Sequence, residues 1–282
     1  MRSDDMTKEL FRRILDEGCL DKNPRPHYED GTPAHTLSIN HVMQSYELDK
    51  GEFPIITLRP IAIKSAIGEL LWIYQDESNS LDVLRDKYNV TWWDAWDVGD
   101  RTIGCCYGET VRRHHLMRDL LEGIRKDPDG RRHIINMWQV DDFLEPHGLK
   151  PCAYQTVWNV RHGKDGTDYL DMCLFQRSSD YATAGCINQV QYAVFLILVA
   201  RHTGYVPGKF TWMVDNIQIY DRHVDQVKEM LQRESVECSP YIWLNPEKKD
   251  FYEFTVDDIK LKDYPRDVIR EKNPQLKFPI GI

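Results

Sequence analysis

Residues 151–188 read PCAYQTVWNVRHGKDGTDYLDMCLFQRSSDYATAGCIN, and this stretch decides the fold. Tyr154 to Val160 reads as a strand. His162-Gly163-Lys164-Asp165-Gly166 supplies a hairpin turn. Leu170, Met172 and Leu174 then alternate with Asp171, Cys173 and Phe175, so a second strand runs to Gln176-Arg177. Just past the quoted stretch, Gln189 to Thr203 is strongly apolar and long enough for a core helix. The same stretch carries a cysteine after a proline, an arginine beside a serine, an aspartate and a lone asparagine.

The pattern extends in both directions. Residues 7–18 look like a first helix. Asp30-Gly31-Thr32-Pro33 is a turn before an extended stretch from His35 to Tyr46. Ile63, Ile67, Leu70 and Leu71 recur at helical spacing and mark a helix with one buried face. Leu116 to Lys126 is another helix, stopped by Asp127-Pro128-Asp129-Gly130. His133 to Gln139 and Phe210 to Tyr220 read as strands, and Arg222 to Gln232 as a surface helix. Strands and helices mix without regular βαβ alternation, which predicts an α+β class. With no repeat, low-complexity tract or linker, residues 1–282 are expected to form a single domain.

The bulk properties narrow the function classes. The 282 residues are 41% hydrophobic and 29% charged, and the formal net charge is −9. That balance fits a globular protein with a sizeable core and argues against a dedicated nucleic-acid binder. A local arginine cluster can still hold an anionic small molecule against the global charge. The seven cysteines include no C-x-x-C pair and no cysteine–histidine spacing of a zinc site, so no metal is expected and a reducing cytoplasm fits best. The N-terminus lacks a signal-peptide core, and the run from Ala193 to Ala200 is too short to span a bilayer.

Several residues are candidates for chemistry, each beside a plainer reading. Cys152 is either a small buried hydrophobe or a nucleophile, and a cation such as Arg177 nearby would favour its thiolate. Arg131-Arg132 is either a solvated turn or a pair of forked donors matched to phosphate. Arg25 and Arg59 are similar candidates. Glu69, inside an apolar helix, either points sideways to water or is a carboxyl with a raised pKa able to relay a proton. Trp92, Trp93 and Trp96 are core packing or a stacking platform. Asn188 caps a helix or presents a donor and an acceptor to a pyrimidine edge.

Six ordered stretches together resemble thymidylate synthase over nearly the whole chain. They are Asp30-Gly31-Thr32; Glu69-Leu70-Leu71-Trp72; Trp93-Asp94-x-Trp96 with Tyr107-Gly108; Asp127-Pro128-Asp129-Gly130-Arg131-Arg132; Pro151-Cys152 through Gln176-Arg177-Ser178-x-Asp180 to Asn188; and Tyr220-x-x-His223-x-Asp225-Gln226. The resemblance implies a large mixed sheet flanked by helices, with sheets packed face to face across a homodimer. It implies dUMP as substrate and 5,10-methylenetetrahydrofolate as one-carbon donor and reductant. Cys152 would add to uracil C6, and dTMP and dihydrofolate would leave. By position, Arg177 would touch phosphate and thiol, with Arg25 and Ser178 completing the phosphate site. Arg131 and Arg132 would reach across from the partner subunit. Asn188 would read uracil, and Glu69 would move protons with Tyr107 assisting. Tyr220 would hold the 3′-hydroxyl beside Gln218. Asp180, also counted at the nucleotide site, would contact the pterin. Trp93 would pack near the transferred carbon, and the tail ending at Ile282 would close over folate.

The chain departs from the family pattern on two sides of this site. Gln218 stands where a histidine is usual, and Thr183-Ala184-Gly185-Cys186-Ile187 replaces Leu-Gly-x-Pro-Phe. Ala153 follows the cysteine in place of a histidine, and Arg59 replaces a lysine. Cys186 brings a second thiol, either inert or able to pair with Cys152 under oxidation. Two other functions fit parts of the pattern. One is a hydroxymethylase acting on dUMP or dCMP, in which water traps the exocyclic carbon. The other is a non-catalytic relative that binds nucleotide or RNA. Asn188 favours uracil, and Trp93 favours a dry site and reduction.

Overall fold

A computed structural model describes residues 1–282. In chain order the elements are α1 (Arg2–Glu17), β1 (Cys19–Leu20), β2 (Thr36–Glu47), α2 (Ile63–Tyr74), α3 (Leu81–Tyr88), α4 (Gly108–Arg113), α5 (Leu116–Lys126) and β3 (His133–Asn136). There follow β4 (Ala153–His162), β5 (Asp168–Asp180), α6 (Cys186–Thr203), β6 (Val206–Tyr220), α7 (Val224–Gln232), β7 (Tyr241–Leu244), β8 (Ile259–Lys262) and α8 (Arg266–Lys272).

The first six strands form one sheet in the order β1-β2-β6-β5-β4-β3, and β7 and β8 pair separately. All neighbours in the large sheet are antiparallel except β5 and β6. That parallel pair is joined by α6, because two parallel neighbours need a crossover connection. The sheet is therefore mixed, as expected, and its two longest strands, β5 and β6, form the parallel pair.

The two faces of the sheet differ. Thr156, Trp158, Met172, Leu174, Trp212 and Val214 are buried on one face, with α6 in the same core. Tyr192, Ala193, Phe195, Leu196 and Val199 of α6 have little or no exposure. Trp158 and Phe195 meet edge to face, their rings 5.2 Å apart. This helix has the length and apolarity of a membrane span, but 72% of its most apolar window lies inside the protein. The other face carries a cross-strand apolar row. Met43, Met213 and Phe175 lie in register on β2, β6 and β5, and Met43 is 64% exposed.

Two local irregularities shape the end of the sheet beside Cys152. The ladder between β4 and β5 shifts register between Ala153 and Gln155, immediately after Cys152. Such a bulge bends its strand and re-aims the neighbouring side chains. The segment Tyr181–Gly185 forms a π-helical turn that runs directly into α6. The loop expected before Asn188 is therefore helical, and Asn188 is the third residue of α6 rather than its cap. Without the usual proline in this segment, every residue keeps its N–H for the wider turn.

Candidate active site

Cys152 is half-buried at the start of β4. Its N–H donates to Tyr107 Oη at 2.9 Å, and its carbonyl accepts from the Arg177 N–H at 2.9 Å. Burial pushes the thiol pKa up, while the Arg177 and Arg25 guanidiniums pull it down. Arg177, the cation that the sequence reading paired with this cysteine, lies close enough for its charge to act on the thiol. Arg177 is itself held by the backbone: Nε donates to Pro151 O at 2.9 Å and Nη2 to Lys150 O at 2.7 Å.

Tyr107 reaches Cys152 through a costly backbone. Its φ is +48°, a region that non-glycine residues seldom occupy. Edge-to-face packing against Trp93, with rings 5.1 Å apart, holds the ring in place. Trp93 packs in turn against Trp72 and Trp96. The tryptophan cluster is therefore core packing and a wall of the site at once.

Glu69 does not point to water. It is 8% exposed in the middle of α2. Burial raises its pKa to about 7, opposed by the Trp93 and Trp92 indoles and the Gln191 amide that face it. The Trp93 Nε1–H nevertheless has no hydrogen-bond partner in the protein. A buried carboxyl poised near neutrality can hold or release a proton at little cost.

The orientation of Asn188 follows from a chain of fixed donors. An indole N–H only donates. Trp212 Nε1 donates to Gln176 Oε1 at 2.8 Å, so the Gln176 amide nitrogen must be its other end. That nitrogen donates to Asn188 Oδ1 at 2.9 Å. The Asn188 amide nitrogen is then fixed as well, and its contact with Gln191 Oε1 is long, at 3.4 Å. Gln191 is anchored on the Ala66 carbonyl of α2 at 3.1 Å. Asn188 therefore retains a donor and a spare acceptor lone pair. Gln176 lies opposite Ala153 in the β4–β5 ladder, which brings this amide to the cysteine's end of the sheet. The sequence reading missed the Gln176, Gln191 and Trp212 relay. A buried glutamine inside an apolar strand alternation was the signal available for it.

The remaining candidates divide into near and far. Arg25 is exposed but its charge acts on both Cys152 and Tyr220. Ser178 and Gln218 lie on adjacent strands, with Ser178 Oγ 3.4 Å from Gln218 Oε1. Tyr220, its pKa raised by burial to about 12, closes the same end of β6. Arg131 and Arg132 lie apart, exposed at the start of β3, where Arg132 reaches only Asp127 at 3.5 Å. Arg59 is buried and donates to the Ala182 and Thr183 carbonyls, both at 2.9 Å. It braces the π-helical turn and is not free to bind phosphate through those donors. Cys186 shares its environment with Arg59 and donates to Tyr181 O at 3.4 Å. Burial, at 2% exposure, raises its pKa to about 11, and all seven cysteines are free.

Asp180 ends β5 with one oxygen bonded to Thr183 Oγ1 and the other, Oδ1, buried without a partner. The C-terminal segment is docked over this end. Ile282 and His27 exchange backbone hydrogen bonds at 3.0 and 2.9 Å. Gly281 lies so close to Ala34 that a Cβ on it would stand 2.6 Å from the Ala34 methyl. No cluster of metal-ligating side chains is present.

Comparison with known proteins agrees with this geometry. The family model for thymidylate synthase matches residues 6–279. The chain is 46% identical over 283 residues to thymidylate synthase of Streptococcus pneumoniae (strain 70585), covering 100% of this chain and 99% of that one. It is 44% identical over 281 residues to thymidylate synthase of Lactococcus lactis subsp. cremoris (strain SK11), covering 99% of each. The solved structure of thermostable thymidylate synthase A from Bacillus subtilis superposes with a TM-score of 0.89 at 33% identity, over 99% of both chains. Sequence motifs, sheet topology and the arrangement around Cys152 converge, and the chain belongs to the thymidylate synthase family.

Proposed function

We propose that the protein catalyses reductive methylation of dUMP to dTMP, with 5,10-methylenetetrahydrofolate as co-substrate and dihydrofolate as second product. The observation that carries this reading is the fixed amide of Asn188 at the cysteine's end of the sheet. Its N–H suits uracil O4, and its spare lone pair suits the N3–H. Arg177, Arg25 and Ser178 bind the phosphate, completed by the partner subunit's Arg131 and Arg132. Gln218 and Tyr220 take the sugar side, and Asp180 borders both ligands.

The reaction opens when the Cys152 thiolate forms a bond to C6 of the ring. Arg177 and Arg25 stabilise that thiolate against its burial. Electron density moves toward C5 and O4, which Asn188 stabilises by donation. Glu69 is poised near neutrality to pass a proton at O4 through water and to help remove the C5 proton, with Tyr107 assisting. When bound, 5,10-methylenetetrahydrofolate supplies the one-carbon unit and then the hydride. The unpartnered Asp180 Oδ1 and Trp93 Nε1 suit a flat heterocycle with its own donors and acceptors. Trp93 and the docked tail ending at Ile282 exclude water, which favours hydride over water as the trap. Expulsion of Cys152 from C6 completes the cycle.

A homodimer fits this assignment. The apolar row of Met43, Met213 and Phe175 lies on a face that the chain itself leaves partly uncovered. Seven free thiols suit a reducing cytoplasm. The base assignment is tested by Asn188→Asp. An aspartate keeps the acceptor for Gln176 but replaces the free donor with an acceptor, which suits the amino group of cytosine. Turnover of dCMP is expected to rise relative to dUMP by about tenfold or more, read as the ratio of kcat/KM values. An unchanged ratio contradicts the assignment.

A further inference from the structure

His223 and Gln226 belong to a motif that the reaction above leaves unused. His223 is fully buried at the entry to α7. Its Nε2 lies 2.6 Å from the Pro279 carbonyl oxygen of the tail. A carbonyl only accepts, so Nε2 carries the proton. The opposite nitrogen, Nδ1, faces Asp180 Oδ1 at 3.7 Å. Both of these atoms are buried and neither has a partner. The gap is too long for a hydrogen bond and too short to admit a bridging water. The imidazole edge also packs on Phe278, with rings 5.1 Å apart. One helical turn on, Gln226 Nε2 donates to the Lys277 carbonyl at 3.0 Å.

One ring therefore stands between the tail and the carboxylate assigned to folate. We propose that His223 is a positioning residue: it links the docked segment 277–282 to Asp180 and so sets how that carboxylate faces folate. At 3.7 Å, His223 Nδ1 makes no hydrogen bond to Asp180 Oδ1. It leaves Oδ1 an unclaimed acceptor for a donor on the heterocycle. A tail that lifts away takes Pro279 with it and frees the ring to turn, and Asp180 then loses the wall that orients it. This inference rests on the folate-dependent reading above.

The test compares His223→Asn and His223→Gln with wild type. Asparagine retains an amide near Nδ1 but cannot reach Pro279, whereas glutamine retains the donor to Pro279. In His223→Asn the KM for 5,10-methylenetetrahydrofolate is expected to rise about tenfold, with the dUMP dissociation constant unchanged. His223→Gln is expected to lie between that variant and wild type, and it carries the comparison should the asparagine variant not fold. In a background truncated after Leu276, His223→Asn is expected to add no further loss, because the two changes remove the same coupling. Additive losses, or equal losses toward dUMP and folate, overturn the proposal. Wild-type turnover with an unchanged folate KM in both variants overturns it alone. A wild-type protein that makes no dihydrofolate from dUMP overturns the functional reading itself, and the proposal with it.

Discussion

Glu69 shows how one buried residue joins stability to chemistry. Its ordinary pKa of 4.5 is raised to about 7 by burial in α2. The native state therefore holds a proton there that the unfolded chain has already released. Stability associated with that proton is full below pH 4.5 and is lost as pH rises through 7. The loss amounts to about 3 kcal/mol between these limits. Glu69→Gln never releases a proton at this position, so its stability relative to wild type should improve by up to about that amount from pH 4 to pH 8. Urea melts at the two pH values check this, and parallel melt differences contradict it. The same variant should lose about 10²–10⁴ in kcat, because the amide cannot relay a proton. The residue type and its apolar neighbours were legible in sequence. Its burial was not, since a helical carboxylate can point either way.

The next scale is the relay that ties three elements together: Trp212 on β6, Gln176 on β5 and Asn188 on α6. Removing its first donor should be felt at its last member. Trp212→Phe leaves Gln176 Oε1 buried and unsatisfied, a cost of about 1–3 kcal/mol, and lets the Gln176 amide turn over. Calorimetry should show dUMP affinity falling about tenfold, since Asn188 loses its fixed orientation. Unchanged dUMP affinity in a folded variant contradicts the relay. Local periodicity revealed α2, α5 and the β4–β5 hairpin, because each has a regular apolar face or a turn. It did not reveal α3, α4 or α8, which are short. Nor did it reveal the start of α6, where a wide helical turn replaces an expected loop. The relay was hidden for a different reason: Gln176 and Trp212 meet only across the sheet, over 36 positions of sequence, and Asn188 joins them from α6.

At the scale of the whole molecule, Arg131 and Arg132 are far from being complete phosphate ligands within one chain. They are exposed just before the edge strand β3, and in the proposed function a second copy delivers them to the site. Complementation tests this directly. Cys152→Ala and Arg131→Ala homodimers should each be nearly inactive. Unfolding and refolding them together should restore about a quarter of wild-type activity. Half of the dimers would be mixed, and each mixed dimer holds one intact site. No recovery, despite mixed dimers in the sample, places these arginines outside the site. The class and the mixed sheet could be named from ordered motifs, which also supplied the candidate site residues. The cross-chain geometry depends on a surface that sequence pattern alone does not orient.

The most direct measurement of the central claim is the product balance of wild type and Cys152→Ala with dUMP and 5,10-methylenetetrahydrofolate. Wild type should form dTMP and dihydrofolate in equal amounts, while Cys152→Ala should bind dUMP and form neither. Turnover that leaves tetrahydrofolate in place of dihydrofolate, or undiminished activity without the Cys152 thiol, would contradict it.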